Sequence, residues 1–185
     1  MIEQFDSKAR KDAFGSKINR DHSPVMLYAV PWLSILLASL TPLWPVIAPA
    51  PIVPPFAFLL LLSWRILRPD ILPLWAGFPL GLWDDFFSGQ PLGSAILLFS
   101  LTCIALDLIE RRFPWRGFWQ NWLTATLFLM LYLPASVILS GADITLYQLR
   151  LILPQMLLSV VAFPIVMRLV AVLDTIRLLR VRTIG

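Results

Sequence analysis

Six apolar blocks, each parted from the next by a short polar or proline-bearing stretch, take up most of this 185-residue chain. The blocks approach the length that a helix needs to cross a hydrocarbon core, about 20 residues. Lipid offers no partner to an exposed N–H or C=O, so only helices or closed barrels can span it. Apolar runs of that length read as transmembrane helices. The predicted fold class is therefore an all-α integral membrane protein of six transmembrane helices. Composition agrees: 58% of residues are hydrophobic and only 14% charged, where a soluble domain carries nearer a quarter charged.

The predicted spans run from Val25 to about Leu43, Pro54 to Leu67, Asp70 to Phe87, Leu92 to Ile109, Phe118 to Leu139 and Leu146 to Val172. The second is short, and Arg65 near its end is expected to snorkel towards the headgroups. The prolines from Pro42 to Pro55 rule out one helix through spans one and two, because each interior proline removes a hydrogen bond. Pro134, Pro154 and Pro164 predict kinks whose freed carbonyls neighbouring helices must satisfy. Residues 1–24 form a charged tail, 25–172 the membrane domain and 173–185 a basic tail.

Charge placement gives the orientation. With the N-terminus inside, 14 of the 15 Lys and Arg residues fall in cytoplasmic segments and only Arg150 lies outside. Positive charge is retained on the cytoplasmic side during insertion, which predicts a multi-pass inner-membrane protein with both termini cytoplasmic. The net charge of +4 is scattered in short clusters between apolar blocks, without the basic face that nucleic-acid binding needs. The eight tryptophans cluster at span ends, for the most part the pattern of an interfacial aromatic belt.

One stretch carries more information than hydropathy. Gly77, Gly81 and Asp85 recur every four residues and make a nearly straight stripe on a helix, and Gly89 and Gly93 continue the spacing across a turn. Such small-residue stripes let helices approach closely in lipid, which marks these five residues as a helix-packing or partner-binding surface. Asp84 is expected at the outer interface, solvated or capping the turn. Asp85 is a candidate for a buried hydrogen bond within the fold. Arg150 is a candidate partner for Asp143 or for Asp85, the latter as a buried polar pair. Asp107 and Arg111 have the spacing of an ion pair along one helix.

Catalytic machinery is missing from the sequence. There is no phosphate-cradling glycine loop, no metal-spaced His/Cys cluster and no nucleophile elbow. One His and one Cys leave the usual hydrolytic constellations incomplete. The reading is a non-enzymatic protein with no metal and no cofactor.

From Gly77 to Gly93 the chain resembles the rod shape-determining MreD family, whose third span has the pattern G-F-x-x-G-x-x-x-D-x-x-S/T-G-x-x-L-G. Gly77, Phe78, Gly81, Asp85, Ser88, Gly89, Leu92 and Gly93 occupy those positions. Pro55, Trp64 and the Arg68-Pro69-Asp70 turn also fit, so the resemblance covers roughly Pro51 to Leu108. Asp84 is an addition to the pattern, and the charged N-terminal extension is longer than many members carry. The resemblance implies a scaffold of the cell-elongation machinery that binds the single-span protein MreC. Through MreC it implies links to the actin-like MreB and to the glycan polymerase and transpeptidase that build side-wall peptidoglycan. The family in turn looks like the six-helix substrate-binding subunits of energy-coupling-factor transporters. That likeness implies the alternative, a transporter subunit binding a small molecule or lipid in an outward cavity. Few polar groups stand in the outer half for such a site: Asp84, Asp85, Gln90, Asp143, Gln148 and Arg150.

Overall fold

A computed structural model describes residues 24–44, 52–112, 117–141 and 146–177. The expected N-terminal tail and the end of the basic tail lie outside these residues, as do Asp143 and Trp115. Six α-helices make up the described structure: α1 (Pro24–Ala38), α2 (Phe56–Leu67), α3 (Gly77–Ser88), α4 (Ser94–Arg112), α5 (Phe118–Leu139) and α6 (Leu146–Arg177). Short 3₁₀ turns at Thr41–Leu43 and Leu74–Ala76 follow α1 and precede α3. The six apolar blocks thus become six helices, but three segments are long and apolar enough by themselves to cross a membrane: Met26–Leu43, Phe118–Leu139 and Arg150–Arg177.

The third helix starts later than hydropathy suggests, because Pro69 and Pro73 keep the chain out of helix until Leu74. The sixth runs past Val172 to Arg177, so the first residues assigned to the basic tail belong to the bundle.

The shortness of α2 has a physical reason. Its 12 residues span about 18 Å, well under the hydrocarbon thickness of about 30 Å. Ten of those residues are buried, from Ala57 to Ile66, against α1, α4, α5 and α6. A helix walled in by others need not reach either interface, since its end groups can be satisfied by protein. Trp64, at 0% exposure, belongs to this core and donates to Ser34 Oγ at 2.9 Å. It is therefore no part of an interfacial belt, whereas Trp44, Trp75 and Trp119 are exposed.

Two prolines create acceptors that distant residues fill. Pro164 cannot donate to Val160 O four residues earlier, and Trp122 Nε1 of α5 donates to that carbonyl at 3.1 Å. Pro31 in α1 leaves Leu27 O without its helical donor, and Arg177 of α6 donates to it at 3.4 Å. Each proline has become a point of attachment between helices.

Candidate functional site

The glycine stripe is used inside the chain. A Cβ on Gly77 would lie 2.7 Å from Ser100 Cα, and one on Gly81 would lie 2.6 Å from Ala95 O. Both glycines therefore seat α3 directly against the backbone of α4. Gly89 and Gly93 differ from the expectation of a continued packing surface. Nothing lies within 4 Å of a Cβ built on either, but their φ angles are +68° and +103°. They serve the turn, in a conformation that glycine adopts without steric cost.

Asp85 closes the same hairpin. Its carboxylate accepts from Gly93 N at 2.8 Å, Ala95 N at 2.8 Å, Ser94 Oγ at 3.1 Å and Ile96 N at 3.4 Å. It is the acceptor for the amides that begin α4, which have no partner within their own helix. Asp85 and Arg150 do not come together as a pair. Arg150 is exposed at the start of α6 and makes no ion pair among the described residues, while the Asp85 oxygens are occupied by α4.

At the opposite end of the bundle, Arg65 overturns the expectation of snorkelling. It is 4% exposed and donates to Pro69 O at 2.8 Å, Leu72 O at 2.6 Å and Cys103 O at 3.2 Å. Asp107 lies 4.0 Å from the same guanidinium and makes the expected ion pair with Arg111 at 2.8 Å. A second cluster binds three helix ends. Arg68 after α2 lies 3.1 Å from Asp174, and Arg177 pairs with Asp174 at 2.7 Å while reaching Leu27 of α1.

Above the N-terminus of α2 is a partly open cavity of about 590 Å³. Its wall brings together the end of α1, the start of α2, the end of α3, the later turns of α5 and the first turns of α6. Asp84 lines it at 7% exposure, with Ser39 beside it, so the expected solvated interface position is corrected. Tyr132 and Ser136 of α5 face the same space, with Ser88, Gln90 and Gln155. Tyr132 stacks on Phe58 at 3.9 Å between ring centroids. Gln155 donates to Val53 O at 2.7 Å, which fastens the segment entering α2 to α6.

The family model for rod shape-determining protein MreD matches residues 23–175, most of the chain. The chain belongs to the MreD family. The family resemblance first seen between Pro51 and Leu108 thus extends across α1 to α6, and the protein is a membrane protein with a role in rod-shape determination. No curated protein and no solved structure matches it.

Within this MreD chain, sequence reasoning found the α3–α4 hairpin because its signal is local and periodic. It missed Tyr132, Arg65 as a buried hub, and Asp174. Tyr132 sits in an apolar run with no neighbouring polar residue, and the partners of Asp174 lie just after α2 and at the end of its own helix. One usable signal existed: a polar or ionisable residue placed well inside an apolar block suggests function by default.

Proposed function

We propose that this MreD-family protein is a non-enzymatic scaffold of the bacterial cell-elongation machinery. Its six helices span the inner membrane with both termini cytoplasmic, and it holds MreC in place for side-wall peptidoglycan synthesis. MreB, a glycan polymerase and a transpeptidase are reached through MreC. The observation that supports a scaffold is where the polar groups go. Asp85, Arg65, Asp174 and Arg177 are all committed to joining helices to one another. Such a bundle is suited to presenting a fixed surface. The outward rows are apolar, as in Leu157, Val161, Ile165 and Leu169 of α6 and Leu97, Leu101, Ile104 and Leu108 of α4. A partner's single helix can pack along such a row by van der Waals contact.

The test is co-purification of the full chain with MreC from bacterial membranes, with photocrosslinking residues at Ile165 or Leu101. Recovery of MreC with a crosslink at one row is expected. A folded preparation that recovers no MreC overturns the scaffold reading. Gly81 is unsuitable as the test position, because substitution there strikes the α4 backbone before it reaches any partner.

A second reading, a membrane subunit that binds a small molecule or lipid, is supported by the cavity over α2. Pockets of several hundred Å³ with a few convergent polar groups are typical ligand sites. The two readings are compatible, since the cavity and the helix rows are different surfaces.

A further inference from the structure

We propose that the cavity over α2 binds the zwitterionic ammonium–phosphate headgroup of a phosphatidylethanolamine-type lipid, with Asp84 receiving the ammonium. The inference rests on the ligand-binding reading and names its ligand class.

The charge inventory of the cavity is one-sided. Among the described residues Asp84 is the one charged side chain in its wall, and no Lys or Arg pairs with it. A carboxylate at 7% exposure without a cation is costly unless something supplies one. Arg150 is exposed and forms no part of the wall. The Tyr132 phenol, at 7% exposure, faces the cavity with no hydrogen bond among the described residues.

The floor of the cavity has the opposite preference. The first backbone bond of α2 runs from Leu59 N to Pro55 O at 2.9 Å, and no side chain caps the helix. The amides of Phe56, Ala57 and Phe58 therefore have no helical partner, and all three residues line the cavity. Free amides at a helix start favour an anionic oxygen, above all phosphate. A simple anion would meet Asp84, and a simple cation would leave the amides unfilled. A ligand carrying both signs a short chain apart, as in a phosphate ester joined through two carbons to an ammonium, satisfies both. The apolar part of the wall, including Ile52, Leu133, Val137 and Ile152, suits the glycerol and upper acyl carbons.

Three N–H donors distinguish ethanolamine from choline, whose methyl groups cannot donate to Asp84, and glycerol headgroups lack the cation altogether. Native mass spectrometry of the full chain in detergent reads this directly. The probes are dihexanoyl phosphatidylethanolamine, phosphatidylcholine and phosphatidylglycerol, together with soluble phosphoethanolamine. A one-to-one adduct is expected with the ethanolamine lipid about tenfold tighter than with the other two lipids. Asp84→Asn, compared at equal melting temperature, should abolish that preference. Competition by soluble phosphoethanolamine would identify the headgroup alone as the ligand, and its absence would assign the site to the intact lipid.

Equal binding of all three lipids overturns the headgroup pairing but leaves a ligand cavity. Preference retained in Asp84→Asn overturns the role of Asp84. If that variant does not fold, the wild-type selectivity and its reduction in Tyr132→Phe decide. No adduct with any probe removes the ligand-binding reading too. Labelling of Ser88→Cys that is blocked only when MreC is bound overturns the proposal in favour of a protein occupant.

Discussion

At the scale of single residues, the most sensitive positions are those where one atom has no room or one group has several partners. Gly81→Ala places a methyl 2.6 Å from Ala95 O, which is backbone and cannot swing away. The substitution is expected to cost at least about 2 kcal/mol by overpacking, read as a lower melting temperature in detergent. Gly93→Ala acts differently: space is open, but the φ of +103° is strained for any side chain. Asp85→Ala removes the acceptor of three amides and one hydroxyl at the start of α4. Loss of such a cap costs about 1–2 kcal/mol, and Asp85→Asn should recover part of it. Hydrogen exchange at Ala95 and Ile96 would report the loss locally. The glycine stripe already set Asp85 apart from Asp84 in sequence, but their surroundings come from packing: Asp85 turns towards α4 and Asp84 towards the cavity.

At the scale of elements, α2 is the piece whose behaviour depends most on its neighbours. It is too short to span a bilayer alone, and its C-terminal end relies on Arg65. That guanidinium fills three carbonyls from two different segments. Arg65→Ala should destabilise the fold by about 3–5 kcal/mol, because it leaves three carbonyls without their donor, each costing about 1–3 kcal/mol. Arg65→Lys should rescue little, because an ammonium lacks the planar fork that reaches several acceptors at once. Thermal unfolding of the two variants side by side distinguishes geometry from charge. A gentler case is Trp122→Phe, which leaves the Val160 carbonyl freed by Pro164 without its donor. The expected loss is about 0.6–1.5 kcal/mol, the range for one interhelical hydrogen bond in a membrane protein.

At the scale of the whole molecule, the charge pattern and the fold make one joint prediction about orientation. The cavity opens at the end of the bundle where α1, α3 and α5 finish, which is the outer end if the N-terminus is inside. In a Cys103→Ala background, Ser140→Cys should react with a membrane-impermeant maleimide on intact cells. Ser7→Cys should react only after lysis. The reverse pattern would put the cavity on the cytoplasmic side and contradict the topology read from Lys and Arg. Cys103 in the native chain is buried, so it should stay unlabelled in both conditions until the protein is denatured.

The amino-acid sequence by itself determined the helical class, the existence of six helices and the α3–α4 hairpin. Those depend on hydropathy and on residues close together in the chain, where the periodicity of a helix converts spacing into contact. Family membership was legible for the same reason, since its motif lies within 17 consecutive residues. The tertiary structure alone decided that Arg65 and Trp64 are interior, that Arg150 stands apart from Asp85, and that Asp84 lines a cavity. Each of these is a relation between helices distant in sequence. An arginine with three buried carbonyl partners and one reaching for headgroups look identical until the partners are placed. The deciding quantity is the cost of leaving a polar group unsatisfied away from water, and that cost is fixed only when its surroundings are known.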